Sequence, residues 1–551
     1  MLYLICASAA LIGGTLHAPT NYDAFSYRIP RLLHWLSAER WHWIGGLDGR
    51  MDYSSCGFEW LMLPCFATFH SLRFAFLINA ISYLLLPGLI FSVLAALGVK
   101  RSIAAIWMWI LPCASCFVME AGSIGNDFTA TVYVLAALHF ALRAIRHGRH
   151  SDVILAVFST ALMTGAKASN LPLLLPVSIC MVVLLYKRPK LFITAALAGC
   201  AATLISLAPL AIVNYRHTGD WTGNPTSIYK LKSPAMGLAG NALQLASASI
   251  VPAVFPPADR VNKWINDRQD APVLRRIKES FPGLDFNLPQ MAIEEGSGLG
   301  LGVSAALLLA LLGARRHFQV NKVFTLGGVV CVGFWAALLF YMMKLGNSGG
   351  PRLIAPYYVG LIALPLLLIQ SGKVFVRPWW RWSSLVLLMP IIPALVLNPA
   401  RPLLPMTGII ERLKMSGLSN GTLSRMEVVY NVYAQRSDAH YAVRQLLPEN
   451  TSTVGFAGTG NESEYSFWLP LGTRQVRDFT PVASGRLPDV GGLDVIVTSD
   501  WGCNDRFKMT PDELAGNLGW HVLASAKVRN YAATGERTWS VLCPVRIKVD
   551  P

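Results

Sequence analysis

The sequence predicts an all-α polytopic membrane protein that ends in a small α/β domain. Its 551 residues are 53% hydrophobic and only 14% charged, and the mean hydropathy is +0.44. Soluble domains carry about 25% charged residues. Before Pro399, most of the chain falls into apolar runs of about 17 to 25 residues, the length that spans a hydrocarbon core of about 30 Å. The bilayer core offers no water to backbone groups, so each run is predicted to be a helix.

The net charge of +16 follows the predicted spans. Basic residues cluster between consecutive apolar runs, as they do in cytoplasmic loops under the positive-inside bias. A nucleic-acid-binding protein would instead present this charge on one continuous surface. The pattern therefore argues against nucleic acid as a partner. The clusters are Lys100 and Arg101; Arg143, Arg146 and Arg149; Lys187, Arg188 and Lys190; Arg315 and Arg316; and Lys373, Arg377 and Arg381.

Hydropathy and loop charge together predict about eleven spans. The region Val153 to Leu185 is too long for one span, and we expect two helices with a break at Gly165 to Asn170. The topology places loop 18–70, loop 214–295 and the chain after Pro399 on the outer face. The other predicted spans are Leu2–His17, Leu72–Leu97, Ile103–Met119, Phe128–Ala144, Leu191–Val213, Leu299–Gly313, Val323–Met343, Leu353–Ile369 and Ser383–Leu397.

The last part of the chain has the composition of a soluble domain. We therefore predict a transmembrane domain over residues 1–398 and an extracytoplasmic α/β domain over residues 399–551. Its two cysteines, Cys503 and Cys543, would be permitted to form a disulfide in an oxidising compartment, and the sequence leaves that pairing open. Predicted strands are Thr453–Ala457, Leu493–Thr498, Trp520–Val528 and Trp539–Val545, and predicted helices are Arg436–Leu447 and Pro511–Leu518.

The first outer loop is the richest in candidate site residues. It mixes acidic and basic residues with aromatic residues typical of membrane interfaces. Helical spacing from Ser26 onward predicts a helix along the membrane surface, with Ile29, Leu32, Leu33 and Leu36 dipping into lipid. Asp23 would then lie just before this helix, at the mouth of a cavity. The charged residues of the loop are Asp23, Arg28, Arg31, Glu39, Arg40, Asp48, Arg50, Asp52 and Glu59.

The segment from Asp23 to Leu36, with its Tyr27, Arg31 and Trp35, resembles the first-loop signature of bacterial GT-C glycosyltransferases of the protein mannosyltransferase and aminoarabinose transferase type (glycosyltransferase family 39-like). The resemblance covers the chain up to about Lys230 and again the region of Arg352. Arg28 stands where relatives often carry His. Three other segments agree in order and predicted sidedness: Gly125-Asn126-Asp127-Phe128, Gly165-Ala166-Lys167 and Pro351-Arg352-Leu353-Ile354-Ala355-Pro356.

The resemblance implies transfer of a sugar from a polyprenyl-phosphate donor on the outer face of the cytoplasmic membrane. Asp23 is the candidate general base, and its alternative role is to cap the surface helix. Asp127 is expected to orient the acceptor or a divalent cation, and its alternative role is to cap the fourth span. No cofactor is certain, and a metal at Asp23 and Asp127 is left open. Tyr27, His34 and Glu59 are expected to support the acceptor.

Four cations are candidate ligands of the donor phosphate: Arg28, Arg31, Lys167 and Arg352. All four are predicted at outer ends of spans, where the positive-inside bias disfavours basic residues. A guanidinium group can bind a phosphate through two parallel hydrogen bonds, and a lysine can act as a point charge. The alternative for each is a contact with lipid headgroups.

Other function classes remain open at this stage. A transporter of lipid-linked glycans typically carries ionisable residues near mid-membrane and an internal repeat, and the sequence shows neither. A polysaccharide polymerase or ligase would share the lipid-linked donor and the arginines of the outer face. A non-catalytic assembly subunit would fail a transfer assay. The sequence does not identify the sugar or its lipid, glycan or protein acceptor.

Overall fold

The computed structural model describes most of the chain, and the described residues form two compact units. The first unit comprises Met1–His17, Ser55–Phe58 and Ala75–Met406, and the second comprises Ala18–Ser54, Glu59–Phe74 and Thr407–Pro551. Most of the first outer loop thus belongs to the same unit as the C-terminal part of the chain. The described residues are 1–69, 71–224, 227, 230–231, 233–250, 255–268, 270–281, 287–288, 291–346, 350–369, 372–417, 421–460, 462–481, 487–529 and 535–545.

The first unit is all-helical in its described part, apart from two isolated β-bridges. Short 3-10 turns interrupt or join many of its helices, and those at Leu111–Cys113, Ala168–Leu173 and Pro189–Leu191 contain a proline. The α-helices are Leu2–Leu16, Leu77–Leu97, Arg101–Ile110, Ser115–Glu120, Thr129–His147, His150–Ala166, Leu174–Lys187, Phe192–Ala202, Ala208–Thr218, Pro234–Ala248, Phe255–Asn266, Pro272–Ser280, Leu301–Ala314, Leu326–Lys344, Gly350–Leu353, Ala355–Leu368, Lys373–Val376, Pro378–Leu388 and Ile391–Val396.

Each of the predicted spans overlaps at least one of these helices, but not every span is one continuous helix. Within the described residues, five helical segments are long and apolar enough to cross a membrane, and a sixth is a pair, Pro189–Ile205 and Ala208–Thr218, bent by 53°. The predicted span Phe128–Ala144 corresponds to the unbroken 19-residue helix Thr129–His147, and the remaining predicted spans correspond to shorter or broken helices. The structure therefore confirms the polytopic class without confirming a count of eleven. Apolar side chains on the surface, such as Ile193 and Leu204, are exposed as they would be toward lipid. The five are Leu77–Leu97, Ala168–Lys187, Glu294–His317, Leu326–Lys344 and Pro378–Val396.

The second unit contains a five-stranded mixed sheet with the order β2-β1-β3-β5-β4. Strand β1 pairs in parallel with β2 and β3, while β5 is antiparallel to both β3 and β4. Every residue of β3 is buried, which makes it the central strand of the domain core. The strands are β1 Thr453–Ala457, β2 Gln475–Asp478, β3 Val495–Ser499, β4 Trp520–Arg529 and β5 Glu536–Pro544.

Helices pack around this sheet, and the predicted α/β class of this region is confirmed. The strand predicted at Thr453–Ala457 and the helix predicted at Pro511–Leu518 have the same bounds in the structure. Cys503 and Cys543 are both buried and are not joined by a disulfide. The α-helices that lie wholly or partly in this unit are Ile29–Ser37, Arg50–Tyr53, Gly57–Phe69, Met406–Met415, Gly421–Gln435, Tyr441–Arg444, Asp500–Phe507 and Pro511–Leu518.

The helix predicted along the membrane surface exists, but its predicted environment is wrong. Ile29, Leu32 and Leu33 are buried in the protein and do not dip into lipid. The helix Ile29–Ser37 contacts strand β2 and the 3-10 turn Tyr465–Trp468. An amphipathic pattern shows that one face avoids water, and it does not distinguish lipid from a protein partner.

Candidate functional site

Asp127 lies between two cations of the first unit. Its Oδ1 pairs with Nζ of Lys167, and its Oδ2 lies 2.9 Å from Nε of Arg352. The side chains of Asp127 and Arg352 are buried, while that of Lys167 is 22% exposed. We call these three residues the Asp127 cluster. Residues that are far apart in the chain thus form one charged cluster.

Breaks in the helices place the two cations of the cluster. Lys167 is extended, with φ −162° and ψ 135°, between the helix that ends at Ala166 and the 3-10 turn Ala168–Leu173. This is the predicted break. A Cβ at Gly165 would lie 2.4 Å from the carbonyl oxygen of Ile205, so the chain approaches too closely there for a side chain. Arg352 lies in the short helix Gly350–Leu353.

Glu120 supports the loop that carries Asp127, and the sequence analysis missed it. Its Oε2 accepts a hydrogen bond from the backbone N–H of Phe128 at 3.1 Å, although Glu120 is buried. Phe128, the residue after Asp127, is the N-cap of the helix Thr129–His147. The available signal was a lone acid directly after a predicted span, since buried acids in membrane proteins are costly and often functional.

In the second unit, Asp23 lies beside a shared guanidinium group. Its Oδ1 is 3.5 Å from Nη1 of Arg50, and Nη2 of Arg50 is 2.6 Å from Oδ2 of Asp48. The side chain of Asp23 is 22% exposed and makes no capping hydrogen bond to the π-helical turn Ala24–Arg28 that follows it. Capping therefore does not account for Asp23. The guanidinium of Arg50 also lies 4.8 Å from the ring centre of Tyr27, as in a cation–π contact.

The two arginines after Asp23 are buried and already bound by protein groups. Nη2 of Arg28 donates to Oδ1 of Asn21 at 2.6 Å. Arg31 forms an ion pair with Glu59 in which neither side chain is exposed, and its Nη1 donates to the carbonyl of Ser54 at 2.6 Å. A buried charge without its partner is costly, so each pair holds the loop together in this conformation.

His34 lies near the C-terminal end of the helix Ile29–Ser37 and contacts the C-terminal part of the chain. Its Nε2 is 2.7 Å from Oε1 of Glu464, and its ring packs edge-on against Trp468. Burial lowers the pKa of His34, but the carboxylates of Glu464, Asp478 and Asp52 raise it, and the net shift is upward. The structure therefore gives His34 a protein partner.

Metal binding was left open at Asp23 and Asp127. In the part of the chain that the structure describes, no group of three or more His, Cys, Asp or Glu side chains is arranged to hold a metal ion. Asp127 has Lys167 and Arg352 as its charge partners, and Asp23 has Arg50 beside it.

Comparison with known proteins identifies the fold. No protein-family model and no curated protein sequence matches the chain. Among solved structures, it is similar to ArnT from Cupriavidus metallidurans in the apo state, with 12% identity and a TM-score of 0.52. It is also similar to the same protein bound to undecaprenyl phosphate, with 11% identity and a TM-score of 0.51. Both comparisons cover 98% of this chain and 97% of the other.

The chain has a GT-C-like fold. ArnT is an aminoarabinose transferase with this fold, so the resemblance seen in the first loop is confirmed at the level of the fold. The structural similarity extends over nearly the whole chain, beyond the segments where the sequence carried the resemblance. The protein is accordingly a multi-pass membrane protein.

Within the GT-C-like fold, the predicted site residues fall into two groups. Asp127, Lys167 and Arg352 meet in the first unit. The second unit contains Asp23, Tyr27, Arg28, Arg31, His34 and Glu59. The sequence analysis named Arg50 and Asp48 only as loop charges and did not name Glu464 at all. The loop follows no regular period between Ser37 and Arg50, so no spacing rule indicated that Arg50 returns to Asp23.

Proposed function

We propose that this protein is a glycosyltransferase that moves a sugar from a polyprenyl-phosphate donor to an acceptor on the outer face of the cytoplasmic membrane. The observation that carries the proposal is the convergence of Lys167 and Arg352 on one buried carboxylate, in a fold shared with a transferase that binds undecaprenyl phosphate. Paired cations can bind a phosphate group through charge-assisted hydrogen bonds. In this proposal, the Asp23 loop and the domain with the sheet face the outside.

The donor phosphate is proposed to bind at the Asp127 cluster. Arg352 offers a planar guanidinium, and Lys167 is the more exposed cation of the pair. In the absence of donor, the Asp127 carboxylate lies against both cations and compensates part of their charge. Arg28 and Arg31 remain proposed additional ligands, and that role requires Asn21 and Glu59 to release them first.

The chemical step is proposed to take place at Asp23. The acceptor hydroxyl or amine gives its proton to the Asp23 carboxylate as its lone pair attacks the anomeric carbon. The bond between that carbon and the phosphate oxygen breaks, and polyprenyl phosphate leaves with the bonding electrons. Arg50, which is held by Asp48, fixes the position of Asp23. Tyr27, His34 and Glu59 are proposed to shape the acceptor side.

The test is an in vitro transfer assay in which purified protein receives a polyprenyl-phosphate-linked sugar. Asp23→Asn keeps size and hydrogen bonding but removes basicity, so transfer should fall by about 10²- to 10⁴-fold. The matched control is Glu449→Gln, an exposed carboxylate on the turn before β1, which should transfer normally. Wild-type activity in Asp23→Asn would remove Asp23 from the mechanism. If Arg352 were still essential in that case, a polymerase or ligase would become the better assignment.

A further inference from the structure

We propose that the segment Glu462–Trp468, which connects β1 to β2, positions Asp23 for the reaction. The inference rests on the role of Asp23 proposed above. The contact that carries it is a hydrogen bond from the Ser463 hydroxyl to the backbone carbonyl of Phe25, at 2.6 Å. Phe25 is two residues after the candidate base, and both Ser463 and Phe25 are buried.

The backbone beside Asp23 needs this external donor. Asp23 directly precedes the π-helical turn Ala24–Arg28, in which hydrogen bonds join residues five positions apart. The amide of Ile29 bonds to the carbonyl of Ala24, so the amide of Pro30 would be the next donor, to Phe25. Proline has no N–H. Ser463 supplies the missing hydrogen bond, because an unsatisfied buried carbonyl would cost free energy.

The segment Glu462–Trp468 also contacts the helix Ile29–Ser37 near its C-terminal end. Glu464 pairs with His34, and it also accepts a hydrogen bond from Nε1 of Trp468 at 2.9 Å. In the π-helical turn before this helix, the ring of Phe25 packs edge-on against the ring of Tyr465, with centroids 4.8 Å apart. Contacts at both ends leave the helix little freedom to slide or rotate.

The segment is itself anchored to the sheet by Glu462. This buried carboxylate accepts hydrogen bonds from the backbone N–H of Thr459 and from Nη1 of Arg537, both at 2.8 Å. The hydroxyl of Ser499, at the end of β3, lies 3.3 Å from its Oε1. The position of Asp23 is thereby tied to the carboxyl ends of β1 and β3. This gives the sheet domain a positioning role in the reaction, although it supplies no reacting group.

Removing the Ser463 hydroxyl tests this inference. Displacement of a reacting group by about 1 Å can cost up to 10²-fold in rate. Ser463→Ala should therefore lower kcat by about ten-fold or more, while the KM for the donor stays unchanged. The matched control is Ser540→Ala, which removes a buried hydroxyl of β5, outside this segment, that hydrogen-bonds to the Ser525 hydroxyl. That variant should lose comparable thermal stability and keep wild-type kcat.

A second measurement asks whether Ser463 acts through Asp23. In an Asp23→Asn background, Ser463→Ala should change the residual activity by less than two-fold, because a base that is absent cannot be mispositioned. A further ten-fold loss in that background, or equal kcat losses in Ser463→Ala and Ser540→Ala, would overturn the inference. If Ser463→Ala fails to fold, Glu464→Gln weakens the contact with His34, and it should show the same fall in kcat at constant donor KM.

The outcomes separate this inference from the proposed function. Full activity of Asp23→Asn would refute the role of Asp23 and, with it, the positioning argument. An inactive Asp23→Asn together with a fully active Ser463→Ala would leave the proposed function intact and refute the positioning role alone.

Discussion

Nε of Arg352 lies 2.9 Å from Oδ2 of Asp127, and both side chains are buried. Removing one partner of a buried ion pair costs about 3 to 5 kcal/mol, because it leaves the other charge uncompensated. Asp127 also pairs with Lys167, so its loss would leave two cations without their counter-charge. The relation between this carboxylate and the donor phosphate is therefore testable through stability as well as through activity.

Asp127→Asn should lower the Tm of the protein and make it more responsive to lipid phosphate. Undecaprenyl phosphate that binds beside Lys167 and Arg352 would replace the lost negative charge. Bound ligand stabilises the folded state by mass action, so the lipid should raise the Tm of the variant by more than that of wild type. Thermal unfolding in detergent, with and without the lipid, measures both shifts. Equal shifts in the two proteins would place the phosphate away from this cluster.

Arg352→Lys should impair use of the donor although the net charge is unchanged. An ammonium cannot reproduce the planar two-point contact of a guanidinium. A charge-assisted hydrogen bond contributes about 1.5 to 3 kcal/mol, so the KM for the donor should rise by about ten-fold or more where KM follows binding. Steady-state kinetics over a donor series measures this, and exposed Arg315→Lys is the control. Unchanged donor kinetics would indicate that Arg352 only anchors its helix end.

Local signals predicted the elements that local chemistry determines. Gly165 and the polar residues after it marked the break that exposes Lys167, and alternating β-branched and aromatic residues marked β1. Strand β2 was missed because it is a short edge strand in which only Val476 is fully buried, so it carries little apolar pattern. Burial of Ile29 by protein was missed because hydrophobic periodicity identifies a face and not its partner.

The sequence predicted several of the charged site residues, but it did not predict which of them contact one another. Asp127, Lys167 and Arg352 were all candidates, but nothing in their spacing indicated that one carboxylate binds both cations. Arg50 lies beside Asp23 because an irregular loop, and not a regular helix or strand, brings it there. Partners of this kind are set by tertiary structure, and a single sequence does not encode them as a period or a motif.

The predicted topology places the sheet domain on the outer face. A cysteine at Gly516 should label in intact spheroplasts, because a side chain there would meet open space on the surface. Lys190→Cys, in a predicted cytoplasmic loop, should label only after permeabilisation. Both need a background in which Cys65 and Cys200 are replaced, since those two are not buried. Labelling of the Gly516 variant only after permeabilisation would invert the topology and move the proposed reaction to the cytoplasmic side.

His440 should make the sheet domain sensitive to acid. The imidazole is buried, with the ring of Trp539 edge-on at 4.3 Å, and burial lowers its pKa to about 3. In the unfolded chain a histidine has a pKa of about 6.5. The unfolded state therefore binds the extra proton as the pH falls from about 6.5 toward 3, and stability decreases over that window. Between pH 7.5 and pH 5 the loss from this residue should be about 2 kcal/mol.

His440→Phe keeps a buried ring and removes the titration. The Tm of wild type should fall further between pH 7.5 and pH 5 than the Tm of the variant. Other titrating groups, such as His34 with its raised pKa, are present in both proteins, so their contributions cancel in the difference. Thermal unfolding of the full-length protein in detergent, followed by tryptophan fluorescence, measures the two pH dependences. If the wild type and the variant lost the same stability on acidification, then His440 would be protonated in the folded domain, in conflict with its burial against Trp539.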